Sequence, residues 1–309
     1  MRRAQKTWMA IALLLVIMGS ICLVISFGMG GFDFSKWSRQ HFTTNTHIIE
    51  DDFDDIEVCT LSEDIRLVVS ETGKAEIVCS ESDSIQYQIA VENGTLKVSF
   101  EDTRKWYEKM DFFVSSHTPV TIYLPKNRYG NVDLTSVSGD ISIPQGFYFS
   151  NLSVTTTSGD VANASIADRT LSVTTTSGDI HIRPSSNLTK MDSVYVKVTT
   201  GDVEMRGIHA ADVVLHLTTG DVAFSHFDVG NLTVRTTTGD IVFQDLRASG
   251  SVEMATTSGD VKGVVRSRHT FDARATSGNV RVPYTERNGA SVFKIRVTSG
   301  DIKIEEKLD

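Results

Sequence analysis

The hexapeptide TTTSGD stands at residues 155–160 and recurs letter for letter at residues 174–179. Anchoring on the glycine of each such unit gives Gly139, Gly159, Gly178, Gly201, Gly220, Gly239, Gly259, Gly278 and Gly300, in steps of 20, 19, 23, 19, 19, 20, 19 and 22 residues. This period constrains the fold more than any other feature of the chain. A unit of about 20 residues cannot bury an apolar face alone and must stack on copies of itself. The two longest steps contain the insertions RPSSNLTK at 183–190 and TERNG at 285–289, as expected of loops on one part of a stack.

Successive side chains of a strand point to opposite faces, so each repeat is read in steps of two. Seven, five and three residues before the glycine stand Leu152, Val154 and Thr156, then Leu171, Val173 and Thr175, and so on to Phe293, Ile295 and Val297. That face is apolar with some threonine, while interleaved residues such as Lys294, Arg296 and Thr298 are polar or charged. Two residues after each glycine a β-branched residue, from Ile141 to Ile302, opens a second short strand. The pattern leaves no room for helices. It predicts an all-β, single-stranded β-solenoid (β-helix) of about nine to ten coils, with a paired-hairpin sandwich as the alternative. A propeller, at roughly 40 or more residues per blade, does not fit. Glycine followed by aspartate reads as the corner of each coil. The hydroxylated residue before each glycine, Ser158 or Thr200 for example, points inward by parity.

Upstream, IEVCTLSEDIRL at 56–67 reads as a degenerate first coil with Glu63 in the place of glycine. GTLKVSF and PVTIYLP supply further strands, and EDTRKWYEKMDFF between them reads as a surface loop or short helix. The C-terminal DIKIEEKLD, rich in charge, is expected to form the outer edge strand and to discourage edge-to-edge pairing.

Residues 8–27, WMAIALLLVIMGSICLVISF, carry no charge, and Arg2, Arg3 and Lys6 precede them. At about 1.5 Å per residue such a run spans a bilayer core of roughly 30 Å. The basic flank predicts a cytosolic N-terminus, hence a single-pass cell-membrane protein with its C-terminal domain extracytoplasmic. A cleaved signal peptide is the rival reading. The expected organisation is a cytosolic segment at 1–7, a transmembrane helix at 8–27, a stalk at 28–50, a solenoid at 51–305 and a tail at 306–309. Cys22 lies in the span, and Cys59 and Cys79 lie beyond it, where either a disulfide or two separate thiols fits.

A net charge of -9 with no basic run argues against a nucleic-acid partner. The acidic stretch EDDFDDIE at 50–57 reads as a solvated entry to the fold. Two columns remain as candidate sites. The corner carboxylates Asp160, Asp179, Asp202, Asp221, Asp240 and Asp260, with Asp140 and Asp301, read first as turn residues and second as a weak divalent-cation ladder; Asn279 breaks the column. Stacked about 4.8 Å apart in water, neighbouring charges repel by about 1 kcal/mol, comparable with one hydrogen bond, so bound ions are not required. The second column lies on the outward face. Two residues before the glycine stands Thr in eight repeats of nine, and four before it come Lys197, His216, Arg235, Arg274 and Arg296, a partly basic stripe suited to an anionic envelope polymer or an envelope protein. Flat Thr ladders suggest ice binding, but that needs two parallel Thr columns. No histidine has metal-ligand spacing and no nucleophile motif is present, so no catalytic residue and no cofactor is assigned.

The SGD corners, the NGTLKVSF and VTIYLP strands and the apolar N-terminal run together resemble a bacterial domain of unknown function named "putative adhesin", found in LiaG-like membrane-anchored envelope proteins. The resemblance covers about residues 53–304 and implies an exported β-solenoid acting at the envelope, without catalytic residues to carry over. The sequence therefore predicts a non-catalytic binding, scaffold or accessory module, with a polysaccharide-acting β-helix enzyme as the alternative.

Overall fold

The computed structural model describes residues 42–82, 85–102, 118–126, 128–184, 190–284 and 291–308. The expected membrane span and the segment 103–117 lie outside them. Among the described residues no helix is long and apolar enough to cross a membrane. All regular structure there is β.

The N-terminal strands are β1 (Thr43–Ile49), β2 (Asp55–Thr60), β3 (Ile65–Val69), β4 (Ala75–Glu81), β5 (Ile85–Glu92), β6 (Thr95–Asp102) and β7 (Val120–Leu124). The central strands are β8 (Arg128–Ser136), β9 (Ile141–Ile143), β10 (Tyr148–Ser158), β11 (Val161–Asn163), β12 (Ile166–Ser177), β13 (Ile180–Ile182), β14 (Met191–Thr200), β15 (Val203–Arg206), β16 (His209–Thr219), β17 (Val222–Thr238), β18 (Ile241–Ala248), β19 (Val252–Ser258) and β20 (Val261–Val265). Then come β21 (Thr270–Ser277), β22 (Val280–Arg281), β23 (Val292–Ser299) and β24 (Ile302–Glu306).

Two ladders of parallel strands run the length of the stack. One passes through β6, β2, β8, β10, β12, β14, β16, the second half of β17, β19, β23 and β21. The other passes through β7, β3, β9, β11, β13, β15, the first half of β17, β18, β20, β24 and β22. The expected β-solenoid is present. Eight turns hold their corner glycine at positive φ, from Gly159 to Gly300, while Gly139 and Glu63 occupy the same place in the two turns before them without it. Three successive turns bend a second time, at Gly207, His226 and Asp245, which take φ of 72°, 56° and 57°. At the N-terminal end β1, β4 and β5 pair antiparallel, capping the stack, and β1 falls within the stretch expected as a stalk.

Register alignment piles like on like. Leu152, Leu171, Val194, Val213, Leu232, Val252 and Phe293 form one buried column, and Ile141, Val161, Ile180, Val203, Val222, Ile241 and Val261 another. Each fully buried side chain of this kind contributes roughly 1.5–3 kcal/mol, so the core is distributed along the rod. Aromatic rings stack within it: Phe224 lies 5.2 Å from Phe243 at 9° between planes. Gly263 pairs with Phe243 because a β-carbon there would meet the ring at 2.4 Å.

Two expectations are corrected. First, the coils at the C-terminal end do not stack in chain order. β23 lies between β19 and β21, and β24 between β20 and β22, so the charged C-terminal strand is internal and the outermost rung is formed by β21 and β22. The half-burial of Phe271, Ala273 and Ala275 reflects that terminal place. The N-terminal end is arranged alike, with β2 and β3 inside β6 and β7. Second, the hydroxylated residue before each glycine is exposed, from Ser158 to Ser299. The chain has begun its bend there, and strand parity no longer applies. The inward hydroxyls lie two residues earlier: Thr175 Oγ1 donates to the Ser177 carbonyl (3.2 Å) and Thr256 Oγ1 to the Gly239 carbonyl (3.1 Å).

Near the C-terminal end His269 is fully buried, bonded through Nε2 to Ser267 Oγ and through Nδ1 to Ser291 Oγ, each at 2.8 Å, with Phe293 edge-on. Burial pushes its pKa down, partly opposed by the backbone of Ser291. The folded state thus binds the proton less well than the unfolded chain, so this contribution to stability is complete above about pH 6.5 and is lost as pH falls toward the depressed folded value. The thermal midpoint should therefore fall more between about pH 7.5 and 5 in the native protein than in His269→Gln. Equal pH dependence in the two would refute the assignment.

Corner packing yields a second expectation. A β-carbon on Gly220 would lie 1.9 Å from the Gly201 carbonyl oxygen at φ 138°, whereas one on Gly94, also at positive φ, meets nothing within 4 Å. Gly220→Ala should cost about 3 kcal/mol or more in urea unfolding, from overpacking plus backbone strain, and Gly94→Ala only about 1–2 kcal/mol.

Candidate binding face

The corner aspartates do more than close their own turns. Each sends Oδ1 to the backbone N–H of the aspartate in the next coil: Asp140 to Asp160 at 2.8 Å, Asp160 to Asp179 at 2.7 Å, and onward through Asp202, Asp221, Asp240 and Asp260 to Asp301. Asp64 starts the series by accepting from Asp140 N–H at 2.9 Å. Asn279 ends it. Its N–H donates to Asp301 Oδ1 at 2.7 Å, and it lies on the outermost rung, where no further N–H needs an acceptor. The column's one exception in sequence is its last member in space. A second ladder runs eight residues before the glycine, where Asn151 Nδ2 donates to Asn131 Oδ1, Thr170 Oγ1 to Asn151 Oδ1 and Asn231 Nδ2 to Asp212 Oδ1, each at 2.8 Å.

The outward face between these two ladders is flat. Thr157, Thr176, Thr199, Thr218, Thr237, Thr257, Thr298 and Thr276 are all exposed along it. Beside them, in spatial order, run Lys197, His216, Arg235, Ala255, Arg296 and Arg274. The swapped coil order puts Arg296, not Arg274, next to Ala255. The small Ala255 leaves a shallow depression between Arg235 and Arg296, floored by Thr256 and bordered by Thr237, Thr257 and Thr298.

Acidic neighbours temper the three arginines. Arg235 pairs with Glu253 at 3.2 Å, and both Arg296 and Arg274 pair with Asp272, whose carboxyl is held below its usual range chiefly by the Arg296 hydrogen bond. Lys197 makes no ion pair with a described residue. His216 lies 6.4 Å from the exposed Tyr195 ring, and its pKa is lowered by burial, then by the charges of Arg235 and Lys197. The structure thus brings all five sequence-assigned basic residues into one stripe. The two thiols do not meet: Cys59 is exposed on β2 and Cys79 buried on β4, both free.

The sequence matches the Toastrack DUF4097 family over residues 53–192 and again over residues 185–305. The chain belongs to this family. Toastrack describes the stacked parallel rungs well. Among solved structures, a "putative adhesin" from Bacteroides fragilis NCTC 9343 is 18% identical, with 87% of this chain and 98% of that chain covered at a TM-score of 0.43. A "putative lipid binding protein" from Parabacteroides distasonis ATCC 8503 is 14% identical over 85% and 97% of the two chains, at a TM-score of 0.39. An adhesin-named protein from Parabacteroides merdae ATCC 43184 is 9% identical over 87% and 98%, at 0.36. No curated protein sequence matches.

The aspartate column supplies a test of its own. Asp221→Ala removes the acceptor for Asp240 N–H and should destabilise the fold by about 1–3 kcal/mol, whereas Asp221→Asn keeps an oxygen acceptor and should cost less than half as much. Equal losses for the two, measured by urea denaturation, would show that charge rather than the acceptor matters there.

Proposed function

We propose that this Toastrack chain is a membrane-anchored, extracytoplasmic binding module of the bacterial cell envelope, non-catalytic, whose threonine-lined face docks a polyanionic envelope polymer. The observation that carries this reading is the stripe Lys197, His216, Arg235, Arg296 and Arg274 on a flat, exposed sheet face with a depression at Ala255. Repeating threonine hydroxyls at rung spacing offer hydrogen bonds to a repeating chain, and the basic groups offer charge-assisted bonds to its phosphates or carboxylates. The uncharged run at residues 8–27 supports the anchor. Ion pairing of the arginines implies exchange: a ligand anion would take the place of Glu253 or Asp272, which favours multivalent, low-affinity contact over a single tight site.

The test is co-sedimentation of the full-length chain, in detergent, with a purified phosphate-bearing wall polymer. Binding should weaken steeply with added salt and drop about tenfold or more in the Arg235→Glu, Arg274→Glu, Arg296→Glu variant, with unchanged circular dichroism. Lys197→Glu, which breaks no ion pair with a described residue, should weaken it severalfold. Undiminished binding by both variants would discard this face as the docking surface.

A further inference from the structure

Away from that face, at the capped N-terminal end, β1 and β4 bring His47, Cys79 and Glu81 together, with one ligand atom of each lying within 4.8 Å of the other two. We propose that these three side chains form a binding site for a transition-metal dication of the zinc class. Thiolate, imidazole and carboxylate together match the ligand preferences of that ion, whereas calcium and magnesium take oxygen alone.

The geometry is close to what such an ion requires. Bonds of about 2.0–2.3 Å to N, O and S place tetrahedral ligands roughly 3.3–3.7 Å apart. His47 Nε2 and Glu81 Oε2 already stand 3.2 Å apart, so only the Cys79 sulfur must close, by about 1.5 Å at most. The carboxylate is fixed before any ion arrives. Asn45 Nδ2 donates to Oε2 at 2.6 Å, and the Tyr87 N–H donates to Oε1 at 2.9 Å. Outer hydrogen bonds of this kind orient ligands and raise metal affinity.

Burial is graded across the cluster, which supplies both a dry wall and an entrance. Cys79 is fully buried, the Glu81 side chain is 11% exposed and that of His47 is 35% exposed, so a dication enters past His47 and keeps a water as its fourth ligand. Because β1 follows directly on the N-terminal segment and, among the described strands, pairs only with β4, a bound ion would clasp this strand to the body.

Cobalt(II) titration of the full-length chain in detergent tests the assignment, because a thiolate ligand gives cobalt an intense near-ultraviolet charge-transfer band that carboxylate and imidazole do not. The band should saturate at one equivalent, bleach on adding zinc, survive Cys59→Ser and vanish in Cys79→Ser. Asn45→Ala should weaken cobalt affinity about 10–100-fold. His47→Ala, at the solvent side of the cluster, should weaken it at least as much while leaving the metal-free circular dichroism unchanged, so a folding defect in Cys79→Ser would not obscure the result. No band, a band that survives Cys79→Ser, or undiminished affinity in His47→Ala would overturn the site.

Discussion

Adjacent coils touch most closely at their corners, where the α-carbon of one glycine lies against the carbonyl of the glycine one rung away. At Gly178, Gly201, Gly220, Gly239, Gly259 and Gly300 a β-carbon would come within 2.2 Å of that oxygen. The approach sets the rung spacing at one edge of every turn, and there the aspartate Oδ1 receives the N–H of the next coil. Glycine is needed for space as well as for φ, and aspartate for an acceptor that reaches across rungs. Glycine permits the close approach and aspartate bridges to the next coil, which is why the two recur as a unit. With the corner fixed, the strands on either side fall into register and the apolar columns align without further specification.

The same logic explains how the stack ends. A ladder of donors and acceptors leaves one unpaired group at each terminus, and the chain fits different residues there. Asp64, preceded by Glu63 rather than glycine, opens the column, and Asn279 closes it on the outermost rung. At the N-terminal end antiparallel strands cover the edges. At the C-terminal end the last coil in sequence is tucked one place inward, which shields the hydrophobic Phe293 and Ile295 and leaves the alanine-containing β21 outside. The tuck has a consequence for the outward face, because it sets Arg296 beside Ala255 and completes the basic stripe.

Most of the rod was legible in the sequence, and the exceptions have identifiable causes. Period, strand alternation and glycine corners follow from local rules, and near-identical copies repeat them. Coil order is another matter: Val252 would pack equally well against Phe271 or Phe293, since both carry the repeat's pattern, and only the three-dimensional path decides. Strict parity points Ser158 and its equivalents inward, but the strand bends one residue before them. His226 and Asp245 hold left-handed backbone that Gly207 alone announces, although 19-residue spacing links the three. The ladder at Asn131, Asn151 and Thr170 carried a signal of its own, a polar residue eight before nearly every glycine. The five basic residues are legible because they share a repeat position. His47, Cys79 and Glu81 are not, because they lie in the irregular part, where no period ties β1 to β4.

Cross-linking of cysteine pairs, on a background without the native cysteines, examines the stacking most directly. Parallel neighbours lie about 4.8 Å apart and alternate rungs about twice that. In-register stacking with the inward tuck predicts that cysteines at 255 and 296 join rapidly through a short linker, while those at 255 and 274, nearer in sequence, do not. Rapid joining of 255 with 274 and none of 255 with 296 would contradict the coil order, and joining of neither would contradict the stack.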